Sequence, residues 1–172
     1  LSGYTDAIIA RVFEQDQIEL MRDASTVPIV NALSNTSHPS QALADALTLQ
    51  EEFGEFSKIK LLFIGSPDNN VLYSLLQIGE KLGFQIQVSY PEFLNTGASV
   101  AEYIALNKGL TWANVIYTDA WFTMHQEADK EKMIKAFQGF QINSDLLKKV
   151  RSGVHIMHCL PAHRGLEISG EV

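Results

Sequence analysis

Four loops of this sequence carry imidazole, carboxamide, carboxylate or thiol groups, the groups that donate hydrogen bonds and move protons. They are His38-Pro39-Ser40-Gln41, Asp68-Asn69-Asn70, the stretch from Asp119 to Met124, and His158-Cys159-Leu160-Pro161. None contains the Gly-x-Gly-x-x-Gly spacing of a dinucleotide site or the Gly-Lys-Ser/Thr loop of a nucleoside triphosphate site. A ligand site in this chain is therefore predicted to be built from polar side chains.

Each of these loops also has a simpler structural interpretation. His38 is suited to a helix entry, and Asn69 and Asn70 are suited to a turn or a helix N-cap. Asp119 directly follows an apolar run, where ligands often bind, yet aspartate also begins turns and helices. Cys159 has the usual character of a small buried hydrophobic residue. Residue types and spacing alone leave both interpretations open.

The five histidines raise the question of a metal site. His155 and His158 lie three residues apart on a predicted strand, which sends their side chains to opposite faces of a sheet. His163 and Arg164 follow in a polar loop that is typical of solvated surface. We therefore expect no metal ion and no cofactor.

Extended and helical patterns alternate along most of the chain. Apolar runs predict strands over 6–13, 27–32, 60–64, 84–90, 113–118 and 154–157, with helices over 15–24, 39–53, 71–82, 98–107 and 130–137. This alternation predicts an α/β fold, a doubly wound parallel sheet with helices on both faces, in one domain over 1–172. Ligands collect at the carboxyl ends of the strands in such sheets, so three of the four loops are expected to meet there.

Composition limits the partners and the compartment. The chain has 172 residues, of which 46% are hydrophobic, enough to bury a core of ordinary size. Its net charge of −7 argues against nucleic acid or an anionic membrane as a partner. The single cysteine excludes an internal disulfide and fits a reducing compartment, the cytoplasm or the mitochondrial matrix of a eukaryote. No apolar run is long enough to span a bilayer, and the first residues lack a signal-peptide pattern.

Four longer motifs occur in order along the chain: HPSQALAD from His38, DNNV from Asp68, TDAWFTM from Thr118 and HCLPAHRG from His158. Together they resemble the ornithine carbamoyltransferase family. His-Pro-x-Gln is shared by carbamoyltransferases in general, whereas Cys-Leu-Pro with Asp-x-Trp is typical of the ornithine branch. The resemblance implies transfer of the carbamoyl group of carbamoyl phosphate to the δ-amine of ornithine, which gives citrulline and phosphate in arginine metabolism.

The resemblance implies a set of residues that hold carbamoyl phosphate. His38 would donate to the carbonyl oxygen, Gln41 would bind the carbamoyl amide, and Arg11 would add positive charge near the carbonyl and phosphate oxygens. Cys159 and the main-chain carbonyl of Leu160 would complete this site. Attack by an amine turns the carbonyl into a tetrahedral oxyanion, which such donors stabilise more than the ground state.

The same resemblance implies that Asn70, Asp119, Thr123 and Met124 hold ornithine. Its δ-ammonium must lose a proton before it attacks, and Asp119 beside Cys159 would accept or relay that proton. No covalent intermediate on the cysteine is expected. The expected catalytic residues are Asp119, Cys159, His38 and Arg11.

The resemblance also bears on domain organisation. It implies that 1–172 is the ornithine-binding second domain, preceded in the whole protein by a carbamoyl-phosphate-binding domain, with Tyr4 to Arg11 resembling the link between the two. The family's phosphate loop, Ser-x-Arg-Thr-Arg, and its closing C-terminal helix are missing from this sequence. The chain alone is therefore expected to be nearly inactive. In the family the amino-terminal domains build a homotrimer, which predicts a trimer or a larger assembly for the whole protein.

Two other functions stay open. His125 stands where the family has a glycine, so a carbamoyltransferase for another amine, such as putrescine, is the nearest alternative. A non-catalytic α/β module that binds a small molecule is the second, and the missing phosphate loop favours it. Such a binder would not need the Asp119 and Cys159 pair, and the Asp-x-Trp-x-Thr-Met pattern favours a ligand with an α-amino-acid head group.

Overall fold

The described residues form two groups, each with its own parallel sheet. The structure is a computed structural model that describes residues 1–94, 101–122 and 130–172. The first unit comprises residues 1–54 and 69–81, and the second comprises residues 55–68 and 82–172. The sequence prediction of one domain over 1–172 stays a prediction. Helices and strands alternate through both units, so the alternation does not mark where one sheet ends and the next begins.

A two-stranded parallel sheet organises the first unit. β1 (Ile8–Arg11) pairs with β2 (Ile29–Leu33), and α1 (Gln15–Ala24) lies between them in sequence. α2 (Pro39–Phe53) follows β2, and both α1 and α2 pack on that strand. Most of α3 (Asn70–Leu82) also groups with this unit.

The sequence of α2 explains its bounds. Pro39 occupies the first turn, where its missing N–H leaves no helical hydrogen bond unmade. Ala42, Ala46 and Leu49 recur at helical spacing and are buried. Gly54 ends the helix with a φ of +72°, a conformation that glycine adopts without a steric penalty. The loop after β2 is thereby joined to a well-defined helix N-terminus.

Five parallel strands form the sheet of the second unit. They are β3 (Lys60–Ile64), β4 (Gln85–Ser89), β5 (Glu102–Tyr103), β6 (Val115–Thr118) and β7 (His155–His158). Their order across the sheet is β5-β4-β3-β6-β7. The chain adds β4 and β5 on one side of β3 and then adds β6 and β7 on the other side. The order in which strands are added therefore reverses between β3 and β6, and this point is a topological switch point. Parallel sheets flanked by helices confirm the α/β fold class.

Short helices accompany this sheet. They are α4 (Leu106–Trp112), α5 (Lys130–Ala136) and α6 (Ser144–Leu147), with single 3₁₀ turns at Phe56–Lys58 and Glu92–Leu94. α4 packs on β3 and β4, and a Cβ on its Gly109 would lie only 2.7 Å from Leu62 Cδ1. A larger residue at this position would force the Leu62 side chain to shift. No helix among the described residues is long and apolar enough to cross a membrane.

Residues 101–105 depart from the predicted helix over 98–107. β5 lies there, and α4 begins only at Leu106. Tyr103 pairs with Val88 in the ladder, and its ring centroid lies 5.1 Å from that of Tyr90. Strand pairing and aromatic packing therefore override the local helical pattern. Residues 98–100 of the predicted helix lie outside the described residues.

Candidate active site

His38 stands at the N-cap of α2, at the end of the loop that leaves β2. Its backbone N–H donates to Ser74 Oγ at 2.8 Å, and Ser74 is buried. Its ring Nδ1 lies 3.3 Å from Ser40 Oγ, within hydrogen-bonding distance. The imidazole is therefore oriented through both its backbone and its ring.

The side-chain amide of Gln41 is held by a residue one helical turn later. Gln41 Nε2 donates to Asp45 Oδ1 at 3.0 Å, and Asp45 is only 5% exposed. Asp45 is not among the site residues predicted from the sequence. The sequence nevertheless marks Asp45 as unusual, because helical spacing places this carboxylate on the apolar face of α2 with Ala42 and Leu49.

Asn69 and Asn70 have different roles at the start of α3. Asn69 Oδ1 accepts from the backbone N–H of Leu72 at 2.8 Å, which is helix capping. Asn70 Nδ2 instead donates to the main-chain carbonyl of Ser34 at 2.7 Å, in the loop that leads to His38. The structure therefore groups Asn70 with His38 in the first unit.

Arg11 ends β1 and is exposed. Its ladder partner is Leu33, the last residue of β2. The carboxyl ends of parallel strands share one edge of a sheet, so Arg11 lies at the edge from which the chain continues to His38. Four of the residues expected in the site thus belong to the first unit: Arg11, His38, Gln41 and Asn70.

Asp119 and Cys159 follow the last residues of two neighbouring strands in the second unit. Thr118 ends β6, His158 ends β7, and these two residues are ladder partners. Three polar side-chain atoms lie within 4.8 Å of one another at this edge. They are a carboxylate oxygen of Asp119, a ring nitrogen of His158 and the thiol sulfur of Cys159. Asp119 Oδ1 also accepts from the backbone N–H of Ala120 at 2.7 Å. A carboxylate and a thiol therefore stand side by side at the carboxyl edge of the sheet.

A buried glutamate supports the loop that carries Cys159. Glu167 is fully buried, and its Oε1 lies 3.1 Å from His158 Nε2. The backbone N–H of His163 donates to the same oxygen. His158 Nδ1 accepts from the backbone N–H of Leu160 at 2.8 Å, which assigns the ring proton to Nε2. Nothing in the sequence pattern had singled out Glu167, because its partners come from a loop that only the fold brings back to it.

Leu160 has an unusual backbone conformation for a residue with a side chain. Its φ is +59°, in the left-handed region, and its side chain is exposed. The hydrogen bond from its N–H to His158 holds it there. Such conformations are costly and often occur at functional sites, which fits a loop whose main-chain carbonyl is expected to bind the ligand. Thr123 and Met124, the other expected ornithine contacts, lie outside the described residues.

The oxygen, nitrogen and sulfur atoms of Asp119, His158 and Cys159 are of the types that bind zinc. Both ring nitrogens of His158 are already engaged, Nδ1 by Leu160 and Nε2 by Glu167. A metal ion would have to displace one of these hydrogen bonds. The sequence pattern pointed only to the His155 and His158 pair and did not predict this cluster.

Replacing Glu167 with Gln should destabilise the protein and change how its stability depends on pH. Burial raises the pKa of the Glu167 carboxyl, but hydrogen bonds from His158 and from the His163 backbone outweigh burial and hold this pKa below its ordinary value. A depressed carboxyl pKa stabilises the fold above the ordinary pKa, and this contribution is lost as the pH falls through the folded-state value. We expect Glu167→Gln to lower the free energy of unfolding at pH 7 by about 1–3 kcal/mol.

Urea denaturation of the two proteins between about pH 2 and pH 8 checks this prediction, because the contribution is lost only below the ordinary carboxyl pKa. The difference in unfolding free energy should shrink toward acid pH, where the wild-type carboxylate becomes protonated. Glu131→Gln, at an exposed glutamate of the same unit, is the matched control and should change little. Parallel pH curves for wild type and Glu167→Gln would contradict the assignment.

Two family descriptions match the chain. The Asp/Orn binding domain of aspartate/ornithine carbamoyltransferase matches residues 57–172, and the carbamoyl-P binding domain of the same family matches residues 1–51. The boundary between the two matches lies next to the division of the structure after Gly54. Tyr4 to Arg11, expected as an interdomain link, lies within the carbamoyl-P match and contributes to β1.

Individual proteins agree with these matches. The chain is 40% identical over 187 residues to the anabolic ornithine carbamoyltransferase of Pyrococcus furiosus, and 44% identical over 186 residues to ornithine carbamoyltransferase of Prochlorococcus marinus. All of this chain is covered in both comparisons, against 59% and 60% of those relatives. The solved Pyrococcus furiosus ornithine carbamoyltransferase superposes with a TM-score of 0.87 at 40% identity, over 99% of this chain and 59% of that one.

A parallel α/β architecture and two adjoining domain matches define the class: the chain belongs to the aspartate/ornithine carbamoyltransferase family. The relatives described above are all ornithine carbamoyltransferases, which confirms the resemblance seen in the four motifs. The chain spans about three fifths of the length of these relatives.

Proposed function

We propose that the whole enzyme containing this chain transfers the carbamoyl group of carbamoyl phosphate to the δ-amine of L-ornithine. The nitrogen lone pair attacks the carbonyl carbon, a C–N bond forms, and the C–O bond to phosphate breaks while the nitrogen passes its surplus proton to the departing phosphate. The products are L-citrulline and phosphate. The observation that carries this proposal is the pairing of Asp119 and Cys159 at the ends of β6 and β7, supported by relatives named for this activity.

On the carbamoyl side, His38 donates a hydrogen bond to the carbonyl oxygen and Gln41 binds the carbamoyl amide. The orientation of His38 by Ser74 and Ser40 supports this role, because an oxyanion donor must be in place before charge develops. Arg11 contributes positive charge for the carbonyl and phosphate oxygens. The family resemblance also assigns Cys159 and the main-chain carbonyl of Leu160, whose φ is left-handed, to carbamoyl phosphate binding.

On the ornithine side, Asp119 and Cys159 position the δ-ammonium and take its proton. A carboxylate attracts the ammonium, and a neighbouring thiolate is a base of suitable strength for a proton relay. Asn70, Thr123 and Met124 hold the rest of the amino acid. The hydrogen bond from Asn70 to Ser34 supports a link between ornithine binding and the loop of His38.

The setting of the enzyme follows from the same family. We propose that residues 57–172 form the ornithine-binding domain and that residues 1–51 are part of a carbamoyl-phosphate-binding domain that is larger in the whole protein. The whole enzyme is expected to be a homotrimer or a larger assembly in the cytoplasm, or in the mitochondrial matrix of a eukaryote, and to serve arginine biosynthesis.

Colorimetric detection of citrulline tests the proposal. The whole enzyme should convert ornithine and carbamoyl phosphate to citrulline, with a kcat/KM for ornithine at least tenfold above that for putrescine or aspartate. Faster carbamoylation of putrescine would overturn the substrate and keep the reaction class. Tight binding of ornithine without turnover would instead favour a non-catalytic binder.

A further inference from the structure

The hydrogen bond between Gln41 and Asp45 fixes the orientation of a side chain that otherwise has two orientations of similar shape. The residues lie four apart on α2, so their side chains share one helix face. Gln41 Nε2 is 3.0 Å from Asp45 Oδ1, and Asp45 is 5% exposed. Such burial keeps water from competing strongly for this hydrogen bond.

A carboxylate has no proton to donate, so the amide of Gln41 can meet it only through its NH₂ group. The reverse orientation would bring the amide oxygen against a carboxylate oxygen, and two acceptors repel each other. Asp45 therefore takes the donor end of the Gln41 amide. The oxygen Oε1 is the end left to accept a hydrogen bond from a ligand.

We propose that Asp45 is a positioning residue that makes Gln41 an acceptor and thereby sets the preference of the site for a carbamoyl group. This inference rests on the proposed function, in which Gln41 binds the carbamoyl amide. The carbamoyl –NH₂ donates a hydrogen bond, whereas the methyl group in the same place in acetyl phosphate has no N–H. An acceptor at this point therefore distinguishes two acyl phosphates of nearly equal shape and charge.

A purely structural role for Asp45 makes a different prediction. If the carboxylate only stabilised α2, its loss would disturb the site as a whole. The binding of carbamoyl phosphate and the binding of acetyl phosphate would then weaken to the same extent. A positioning role changes the ratio of the two dissociation constants. That ratio is therefore the quantity to measure.

Asp45→Asn keeps the shape of the side chain and allows Gln41 to turn either end of its amide toward it. In the whole enzyme, calorimetric titration should show carbamoyl phosphate binding weakened at least about twofold, the factor expected when half or more of the molecules hold the wrong orientation of Gln41. Acetyl phosphate has no N–H to meet the Gln41 amide, so its binding should not change. Glu51→Gln, which removes one exposed charge from the same helix, is the control and should leave both constants unchanged.

The exchanged pair Gln41→Glu with Asp45→Asn is the second test. The new amide at position 45 is able to donate to one oxygen of the new carboxylate at position 41. The other carboxylate oxygen is then left as an acceptor, so the preference for carbamoyl over acetyl phosphate should return. Gln41→Glu alone places two carboxylates together and should raise the dissociation constant of carbamoyl phosphate at least tenfold. Equal weakening of both acyl phosphates in Asp45→Asn, or no change in either, overturns the proposal.

These binding measurements need no ornithine. If the wild-type enzyme made no citrulline but preferred carbamoyl phosphate through Asp45, the proposed function would fail and the positioning role would stand. If citrulline formed and the ratio did not depend on Asp45, the reverse would hold.

Discussion

Replacing Cys159 with Ser in the whole enzyme should lower kcat/KM for ornithine by a factor on the order of 10²–10⁴, the usual range for a lost acid–base group. An amine with a solution pKa of roughly 10.4 is almost wholly protonated at pH 7, so attack passes through a small neutral fraction unless the site assists. Serine keeps the shape and removes the thiolate. Asp119→Asn keeps the hydrogen-bonding outline, removes the charge and should have an effect of the same order.

The measurement is kcat/KM for ornithine against pH, together with carbamoyl phosphate binding in the absence of ornithine, which should barely change. Asp145→Asn, at an exposed aspartate of the same unit, is the matched control and should behave like wild type. An unshifted pH profile with wild-type kcat/KM in Cys159→Ser would end the assignment of Cys159. In that case the thiol packs at the strand end, and its replacement costs only stability.

His38→Ala should reduce kcat by a factor on the order of 10²–10³, the usual cost of removing one oxyanion donor. The donor stabilises the charge that develops on the carbonyl oxygen, so the KM for ornithine should change much less than kcat. Because Ser74 binds the backbone of residue 38, the loop should keep its conformation when the side chain is lost.

His155→Ala is the control for the His38 variant. His155 is an exposed histidine and the first residue of β7, at the end of that strand away from Cys159. His38→Asn, which restores a short donor, should recover part of the lost kcat. A His38→Ala enzyme whose kcat is within threefold of wild type would show that another group stabilises the oxyanion.

Local patterns were sufficient for much of the fold. α1 and β3 have the predicted bounds, because one is a surface helix with regular polar spacing and the other is an uninterrupted apolar run. β5 was missed, because a two-residue strand is defined by its partner Gln87–Val88 and not by its own residues. The division into two units is not visible in local patterns, because it depends on which strands pair.

The candidate site shows the same distinction. Asp119 and Cys159 were predictable as neighbours, because each follows a strand and the strands are parallel. Glu167 was not predictable, because its hydrogen-bond donors, His158 and His163, lie nine and four residues earlier, at the end of β7 and in a loop without a regular pattern. For Asp45, half of the information is in the sequence. Its spacing of four residues from Gln41 was visible, but only the structure shows that the two side chains form a buried hydrogen bond.

The ladder pairing of Thr118 with His158 also makes the activity proposed for the whole enzyme depend on the register of β6 and β7. A slip of β7 by one residue would shift Cys159 along the sheet by about 3.3 Å and turn its side chain to the opposite face. A slipped chain would retain nearly the same helix and strand content, so circular dichroism would count it as refolded. For the whole enzyme, a refolded sample with full ellipticity and reduced specific activity is therefore the result expected when β6 and β7 are misaligned.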